Sequence, residues 1–258
     1  TSFIYGYDGV LPNQGADSEQ VLSSITALAH AGAQVTLVTP APKDDVTLSC
    51  EWLCERYELN GQFDVRTIDV GQGNRGLQKW KFARAMAKST PVDPNTVIHT
   101  RHIPVALMML KYGHQVVYDT YRPWTLQYPI LRPVLRRLVN HPNLLGVMCH
   151  SEHAADSFKL ITDRHDDIVI MHNGYDPNRL RPTRTKADAR AELGMPPDGF
   201  IVSYTGRVGP DKGLDTILDV ASHCPDIQFL LVGSQGDGPV EQAAQNVPNV
   251  QVEPWQPF

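Results

Sequence analysis

Short apolar or β-branched runs recur through the first two thirds of the chain, each with the length of a buried strand. They lie at residues 3–7, 35–39, 65–70, 97–100, 116–118, 145–149 and 168–171. Helix-length stretches separate them, at residues 17–31, 47–59, 77–89, 104–112, 129–140 and 153–162. Regular alternation of strand and helix predicts parallel βαβ units with right-handed crossovers, and therefore a doubly wound α/β sheet. Asp17 is the predicted N-cap of the first helix, with Gln20 completing a capping box and Gly32 following the last turn.

The pattern changes after Asn173-Gly174, where proline, asparagine and charged residues predict a linker. A short helix at 188–193 follows, and then a second βαβαβ pattern with strands at 200–205, 228–232 and 250–252 and helices at 214–223 and 240–245. We therefore predict two domains, residues 1–176 and residues 177–258. Three strands form only one half of a doubly wound domain, so the second domain is predicted to be incomplete.

A glycine turn joins the first strand of the second domain to its helix, and it carries two cations, Arg207 and Lys212. Backbone N–H groups and the positive end of the helix dipole at such a turn favour an anion. Arg207 would add bidentate contacts to phosphate oxygens. The alternative is an ordinary surface turn with two solvated cations.

Several motifs occur together in a fixed order. They are His172-Asn173-Gly174-Tyr175-Asp176 with Pro182, Gly206-Arg207 with Lys212-Gly213, Leu230-Leu231-Val232-Gly233-Ser234-Gln235-Gly236, and Asn249-Val250-Gln251-Val252. In these residues the chain resembles the retaining glycosyltransferases of family 4, closely from the linker onward and more loosely before it. The resemblance implies the GT-B fold, in which two Rossmann-like domains face a cleft.

The resemblance also implies residue roles. Arg207 and Lys212 would act in catalysis by holding the diphosphate of a nucleotide-sugar donor. Gly206 and Gly233 would approach the donor, and Val252 would lie beside its base. Transfer in this family retains configuration by attack on the face from which the leaving group departs, with no metal and no cofactor.

The chain departs from the family in one motif. Family members carry, further downstream, two glutamates separated by seven residues, and no two glutamates here are eight positions apart. Because Phe258 precedes the place where this motif would occur, the sequence predicts a C-terminally truncated enzyme.

Candidate residues of the first domain follow its predicted strands. Gly15, in the loop before the first helix, would approach the donor phosphates, with a plain loop glycine as the alternative. Asp8 is an acceptor-side candidate or a turn former. Asp119 and Arg122 are acceptor-side candidates whose alternative is a structural pair with each other. Tyr121 stands where family members often have a histidine.

Two further segments invite competing interpretations. The strand-end run His99-Thr100-Arg101-His102 resembles a histidine-bearing family segment, but satisfied or solvent-facing histidines are the simpler interpretation. Residues 71–76 match G-x-G-x-x-G, which would suggest a dinucleotide oxidoreductase. However, they follow the third predicted strand, and the acid about twenty residues on, Asp93, lies in a proline-rich turn. A loop is the favoured interpretation.

Composition adjusts this picture. A net charge of −5 and a pI of about 6.0 argue against nucleic acid as a partner. Residues 75–88 and 120–151 nevertheless contain no acidic residue while carrying several Lys or Arg among aromatic and aliphatic side chains. Such segments suit an anionic membrane surface or a lipid-linked acceptor, with a solvated basic face as the alternative.

The number of cysteines and the length of the apolar runs indicate where in the cell the protein is found. Four cysteines are too few for a disulfide scaffold, and no apolar run approaches the ~20 residues needed to cross a bilayer. We predict a cytoplasmic protein, or one peripheral to the inner face of the membrane. Cys50 with Cys54, and Cys149-His150 with His153, supply too few ligands for a metal site.

The leading hypothesis is a retaining, hexosyltransferase-type enzyme that moves a sugar from a nucleotide-diphosphate donor to a hydroxyl of a glycan or lipid-linked acceptor. One alternative is a GT-B nucleotide-sugar epimerase or hydrolase, which needs carboxylates to handle protons. Another is a non-catalytic nucleotide-binding protein.

Overall fold

A computed structural model describes residues 2–13, 15–42, 46–71, 73–175 and 183–256 of the chain. Contacts divide the chain into two compact units, Thr1–Leu180 and Arg181–Phe258. The predicted boundary after residue 176 and most of the predicted linker fall outside the described residues, so the boundary stays a prediction.

The first unit is built on a seven-stranded sheet in the order β3-β2-β1-β4-β5-β6-β7, in which every pair is parallel. The strands are β1 (Ser2–Gly6), β2 (Gln34–Pro40), β3 (Asp64–Ile68), β4 (Thr96–Thr100), β5 (Gln115–Thr120), β6 (Leu144–Cys149) and β7 (Ile168–Ile170). The doubly wound sheet predicted from the alternating pattern is confirmed. Strand order reverses between β1 and β4, and ligands of such sheets bind beyond the carboxyl ends of the strands at this point.

The helices of the first unit are α1 (Ala16–His30), α2 (Cys50–Arg56), α3 (Arg75–Ser89), α4 (Ile103–Lys111), α5 (Trp124–Gln127), α6 (Arg132–Val139) and α7 (Glu152–Lys159). The helix predicted over residues 129–140 is present but divided: a 3-10 turn at Pro129–Leu131 leads into α6, and the separate helix α5 precedes both. Pro129 and Pro133 each lie in the first turn of their helix. Proline lacks the N–H that would continue a preceding helix, so each proline begins a new segment.

The start of α1 also differs from the prediction. Gly15 is the N-cap, with no side-chain capping bond, while Asp17 lies within the first turn and accepts a hydrogen bond from the Tyr7 hydroxyl at 2.9 Å. Gln20 reaches other partners across the sheet edge and closes no capping box. At the other end, Gly32 takes the left-handed conformation (φ +85°), as predicted for a helix stop.

Two clusters of buried side chains cover the faces of this sheet. One lies beneath α3, α4, α6 and α7 and contains Phe82, Met86, Ile98 and Phe158. The other lies beneath α1 and α2 and contains Leu22, Ile25 and Leu37. Burial on both faces explains why the strands are continuous apolar runs.

The second unit has a three-stranded parallel sheet in the order β10-β9-β8. Its elements are α8 (Lys186–Glu192), β8 (Ile201–Thr205), α9 (Leu214–His223), β9 (Gln228–Ser234), α10 (Pro239–Ala244) and β10 (Val250–Pro254). Leu214, Leu231 and Val240 pack between its helices and sheet. The predicted βαβαβ pattern is confirmed.

Candidate functional site

Polar side chains of the first unit gather at the carboxyl ends of its central strands. Asp8 follows β1, Arg101 and His102 follow β4, Asp119 lies near the end of β5, and His150 follows β6. Adjacent parallel strands end at the same edge, so residues far apart in sequence meet there. Two separate carboxylate clusters result, one around Asp8 and one around Asp119.

The Asp8 cluster lies at the point where strand order reverses. The Oδ1 atom of Asp8 is 2.9 Å from both the Lys79 Nζ atom and the His102 Nδ1 atom, and the Asp8 side chain is only 2% exposed. Burial works to raise the pKa of Asp8, but hydrogen bonding and charge from His102 and Lys79 outweigh it and hold the pKa below its usual range. Asp8 is therefore an ionised carboxylate with two positive or proton-donating partners.

Two polar atoms of this cluster, Asp8 Oδ2 and His102 Nε2, are buried and make no hydrogen bond with any described residue. A carboxylate only accepts hydrogen bonds, so the proton between Asp8 and His102 sits on Nδ1. This leaves Nε2 as the free ring nitrogen, an acceptor in the neutral ring and a donor in the charged one. Both atoms are buried, so a hydroxyl group reaches them only if neighbouring side chains move.

Asp119, in contrast, is fully engaged. Its Oδ1 atom is 2.6 Å from His150 Nε2, and its Oδ2 atom is 3.0 Å from Arg101 Nη2, with the Tyr5 hydroxyl at 3.4 Å and His99 Nε2 at 3.6 Å. Burial would raise the pKa of Asp119, but the hydrogen bond from His150 and the nearby His99 and Arg101 lower it far below its usual range. Asp119 thus holds the ends of three strands together.

This network continues into α1. Arg101 Nη1 donates to Gln20 Oε1 at 3.0 Å, and the Gln20 amide donates to Asn173 Oδ1 after β7. The Gln20 amide nitrogen is also 3.5 Å from His150 Nδ1. Because the Gln20 amide is a donor, the His150 Nδ1 atom accepts from it. The His150 proton is then on Nε2, which donates to Asp119.

The structural pair predicted as an alternative for Asp119 and Arg122 is wrong, because Asp119 pairs with Arg101 instead. The Arg122 guanidinium lies 5.3 Å from the Tyr121 ring centre and 5.4 Å from that of Trp124, and its Nε donates to the Tyr121 hydroxyl at 3.0 Å. Cation–π attraction to the Tyr121 and Trp124 rings therefore positions the Arg122 guanidinium.

Gly15 lies where the chain enters α1, and its N–H donates to Asn13 Oδ1 at 2.8 Å. A Cβ atom at this position would come within 2.4 Å of Asp17 Oδ1 and 2.9 Å of Asn13 Oδ1. Both atoms end flexible side chains that can move and the φ of −79° suits any residue, so local space favours glycine here without requiring it. Approach of a donor phosphate to Gly15 stays a prediction, and Gln14 in the same loop lies outside the described residues.

In the second unit, the predicted cationic turn connects β8 to α9. The Arg207 Nη2 atom is 2.6 Å from Asp211 Oδ2, and both side chains are about half exposed (54% and 53%). The Lys212 side chain is exposed and makes no hydrogen bond or ion pair with any described residue. Gly213, at φ +66°, caps α9 without a side-chain bond. The turn therefore offers one free cation, one weakly paired cation and a helix N-terminus.

Gly206 and Gly233 bring two loops of this unit together. The Gly206 N–H donates to the Val232 carbonyl at 3.0 Å, and the Val208 N–H donates to the Gly233 carbonyl at 3.2 Å. A Cβ on Gly233 would lie 2.2 Å from the Gly206 carbonyl oxygen, and Gly233 has φ +117°. Close backbone packing thus requires glycine at position 233, while donor contact by either glycine stays a prediction.

A groove of about 650 Å³ runs along β10 and α10 in the second unit. Ser234, Gly236, Glu241, Val252 and Trp255 contribute to its walls, and the Ser234 hydroxyl donates to Glu241 at 2.7 Å. Val252 is half-buried there. The groove has the apolar and polar surfaces that a planar base would need, but nucleotide contact by Val252 stays a prediction.

The sequence reasoning missed most of the first-unit network, including Lys79, Arg101, His102, His150 and Gln20. The sequence predicts satisfied or solvent-facing histidines here; His99 is buried 3.6 Å from Asp119, and the partly buried His102 pairs with Asp8. The signal was available: the run His99–His102 ends β4, the strand beside β1, so it had to meet Asp8.

Two minor motifs have ordinary surroundings. The G-x-G-x-x-G loop follows the edge strand β3, away from the strand-order reversal, with Gln72 outside the described residues. Asp93 accepts hydrogen bonds from Asn95 and Thr96 within the turn before β4. Neither matches the position of a dinucleotide phosphate or ribose contact.

Metal-ligating residue types are scattered in the described ranges, where no three His, Cys, Asp or Glu side chains are arranged to hold a metal ion. The Sγ atoms of Cys50 and Cys54 are 3.9 Å apart and both face the Gly61 carbonyl. In the same ranges, the helices are too short or too polar to span a membrane.

Comparison with solved structures identifies the fold. Over 99% of this chain and 69% of the other, the structure is similar to Anabaena HepE in complex with UDP-glucose, with a TM-score of 0.65 at 16% identity. It is also similar to UDP-GlcNAc 2-epimerase from Neisseria meningitidis, over 100% of this chain and 72% of the other, with a TM-score of 0.62 at 12% identity. These identities show the fold alone. The fold is of the GT-B class, as predicted.

Sequence comparison relates part of the chain to curated glycosyltransferases. No family model matches the chain. The chain is 35% identical over 85 residues to D-inositol 3-phosphate glycosyltransferase of Streptomyces bingchenggensis, a stretch that covers 28% of this chain and 19% of that protein. The chain thus spans about a fifth of this curated relative. The resemblance to family 4 glycosyltransferases is confirmed by relatives of this kind.

Proposed function

We propose that this chain supplies the acceptor-side domain and half of the donor-side domain of a retaining glycosyltransferase that uses a nucleotide-diphosphate sugar. The observation that carries the proposal is the turn between β8 and α9, where Arg207, the unpaired Lys212 and the start of α9 present positive charge together. The named relatives and the UDP-glucose complex of a fold neighbour support it. Free cysteines in the described residues suit a cytosolic location.

The chemistry follows from where charge develops. Departure of a nucleoside diphosphate builds negative charge on its oxygens, and cations already in place stabilise that charge without reorganisation. Arg207 would exchange its half-exposed partner Asp211 for phosphate oxygens, and Lys212 would bind them directly. Because the leaving phosphate accepts the acceptor's proton on the same face, configuration is retained and no metal is needed.

The acceptor side of the proposal uses the Asp8 cluster. Asp8 Oδ2 and His102 Nε2 are buried polar atoms at the strand-order reversal that make no hydrogen bond with any described residue. A hydroxyl acceptor that reached them would donate its one proton to Asp8 Oδ2 and accept from Nε2 of a doubly protonated His102, which fixes its direction. Arg122, above Tyr121 and Trp124, would then serve a more peripheral part of the acceptor.

The test of this function is a donor panel. UDP-, GDP- and ADP-sugars are offered with a set of hydroxyl acceptors to the natural protein that contains this chain, and products are identified by mass and by the anomeric configuration of the new bond. We expect transfer from one nucleotide class with retention. An inverted product, or donor consumption that needs no acceptor, would contradict the proposal.

A nucleotide-sugar epimerase or hydrolase is the second candidate, and the Asp8–His102 pair is the observation that favours it. A carboxylate that fixes a histidine tautomer is a familiar arrangement for proton transfer. Product analysis without any acceptor separates the two functions, because only this candidate consumes donor under those conditions.

Changing Asp8 to asparagine tests the acceptor-side role. The substitution keeps the shape but removes the charge that orients His102, so transfer in the natural protein is expected to fall by about 10²-fold. Nucleoside-diphosphate affinity, measured by calorimetry, should stay unchanged because its cations lie in the second unit. Asp93→Asn, in the turn before β4, is the matched control and should transfer normally. Equal loss of affinity and transfer in Asp8→Asn would instead indicate a structural role.

A further inference from the structure

The segment from α5 to α6 exposes an unusual amount of apolar side chain. We define the α5–α6 surface by its exposed apolar residues together with its arginines. The apolar members are Leu126, Tyr128, Ile130 and Val134. Ile130 is 86% exposed at the tip of the 3-10 turn, although isoleucine is usually buried. A contiguous group of this kind marks an interaction surface.

The charge of the α5–α6 surface has one sign. Its arginines are Arg122, Arg132, Arg136 and Arg137. The sequence from residue 120 to residue 151 contains no aspartate or glutamate to balance them. The neighbouring helix α7, bonded to α5 through Thr125 and Ser157, brings Glu152 and Asp156, and Asp156 is already 3.3 Å from Lys159. The surface therefore keeps a net positive charge.

The arrangement along α6 separates core from surface. Leu135, Leu138 and Val139 are buried, while Val134 and Arg137, three positions apart, are exposed on the other side. Trp124 and Tyr128 pack with ring centres 5.6 Å apart at the base of the turn, and Arg122 stacks over Trp124. Amphipathic rings beside arginines are typical of the level of lipid headgroups.

We propose that the α5–α6 surface binds an anionic lipid bilayer, with Ile130 and Val134 inserted below the headgroups and the four arginines among the phosphates. Charge complementarity selects this occupant, because the α5–α6 surface presents arginines and apolar side chains and has no carboxylate of its own sequence. Helix α3 is the weaker candidate of the two acid-free segments, since its Lys79 is already paired with Asp8. The proposal goes beyond sugar transfer and does not depend on it.

Vesicle sedimentation tests the proposal with the 258-residue chain. One set of vesicles contains equal parts of phosphatidylglycerol and phosphatidylcholine, and the other contains phosphatidylcholine alone. We expect the chain to sediment with the anionic vesicles only, and less so as salt is raised. No binding to anionic vesicles, or equal binding to both sets, would overturn the proposal.

Two double variants locate the contact. Arg136→Glu with Arg137→Glu should weaken the vesicle partition coefficient at least about 20-fold, and Ile130→Ser with Val134→Ser at least about 10-fold. The controls are Lys111→Glu and Val92→Ser, exposed positions that precede β5 and β4 and should bind as the unaltered chain does. Circular dichroism verifies that each variant is folded. Unchanged vesicle binding by both folded double variants, or a dimer in solution that Ile130→Ser abolishes, would contradict a lipid contact.

Discussion

Alanine at Arg207 or Lys212 is expected to weaken nucleoside-diphosphate binding by about 10- to 100-fold, because each change removes charge-assisted hydrogen bonds to phosphate. Transfer in the natural protein should fall further, by about 10²- to 10³-fold, since the same cations stabilise charge that grows in the transition state. Titration calorimetry with UDP, GDP and ADP measures the first effect, and a transfer assay measures the second. Lys186→Ala, an exposed lysine at the start of α8, is the matched control.

Substitution of Asp211 is expected to change diphosphate affinity in the opposite direction. The Asp211 Oδ2 atom lies 2.6 Å from the Arg207 Nη2 atom. A bound diphosphate must therefore displace the Asp211 carboxylate from Arg207 or share the guanidinium with it. Asp211→Asn should therefore tighten diphosphate binding by a few fold, a modest effect because exposed ion pairs are weak. If alanine at both cations leaves affinity unaltered and Asp211→Asn does the same, this turn is not the donor-phosphate site.

The sheet topology was predictable because a strand buried on both faces has a continuous apolar sequence. Phe3, Val35 and Val97 begin runs that the structure places in β1, β2 and β4, within one or two residues of the predicted bounds. Helix ends were less predictable, since they depend on local contacts. Asp17 has the residue type of an N-cap, but its carboxylate accepts a hydrogen bond from the Tyr7 hydroxyl. The N-cap of α1 is Gly15 instead.

The cationic turn of the second unit was predictable from the sequence, whereas the carboxylate clusters of the first unit were not. The cationic turn from Gly206 to Gly213 is local in sequence, so its residues could be recognised together. The first-unit clusters are assembled by topology: Asp8 meets Lys79 and His102 only because β1 lies beside β4. Spacing along the chain carries no information about such contacts, so the sequence left open whether Asp119 pairs with Arg122, and the structure pairs it with Arg101.

Removal of the Asp119 carboxylate is expected to give the largest loss of stability in the first unit. Arg101 is only 5% exposed, and Asp119→Ala leaves its buried charge without a counter-ion, which costs about 3–5 kcal/mol. Asp119→Asn keeps the shape and should cost less. Urea unfolding is followed by tryptophan fluorescence in a Trp255→Phe background, so that the remaining tryptophans, Trp52, Trp80 and Trp124, all report on the first unit.

The pH dependence of the same variants distinguishes charge from packing. A carboxylate whose pKa is lowered by folding stabilises the native state above its ordinary pKa of about 4, and this contribution disappears as pH falls toward the lowered value. The difference in unfolding free energy between the unaltered chain and Asp119→Asn should thus be constant above about pH 5 and shrink below about pH 4. Asp156→Asn, on the exposed face of α7, should show little difference at any pH. A pH-independent difference would mean that Asp119 contributes through packing and neutral hydrogen bonds, and that the ion pair with Arg101 adds no net stability.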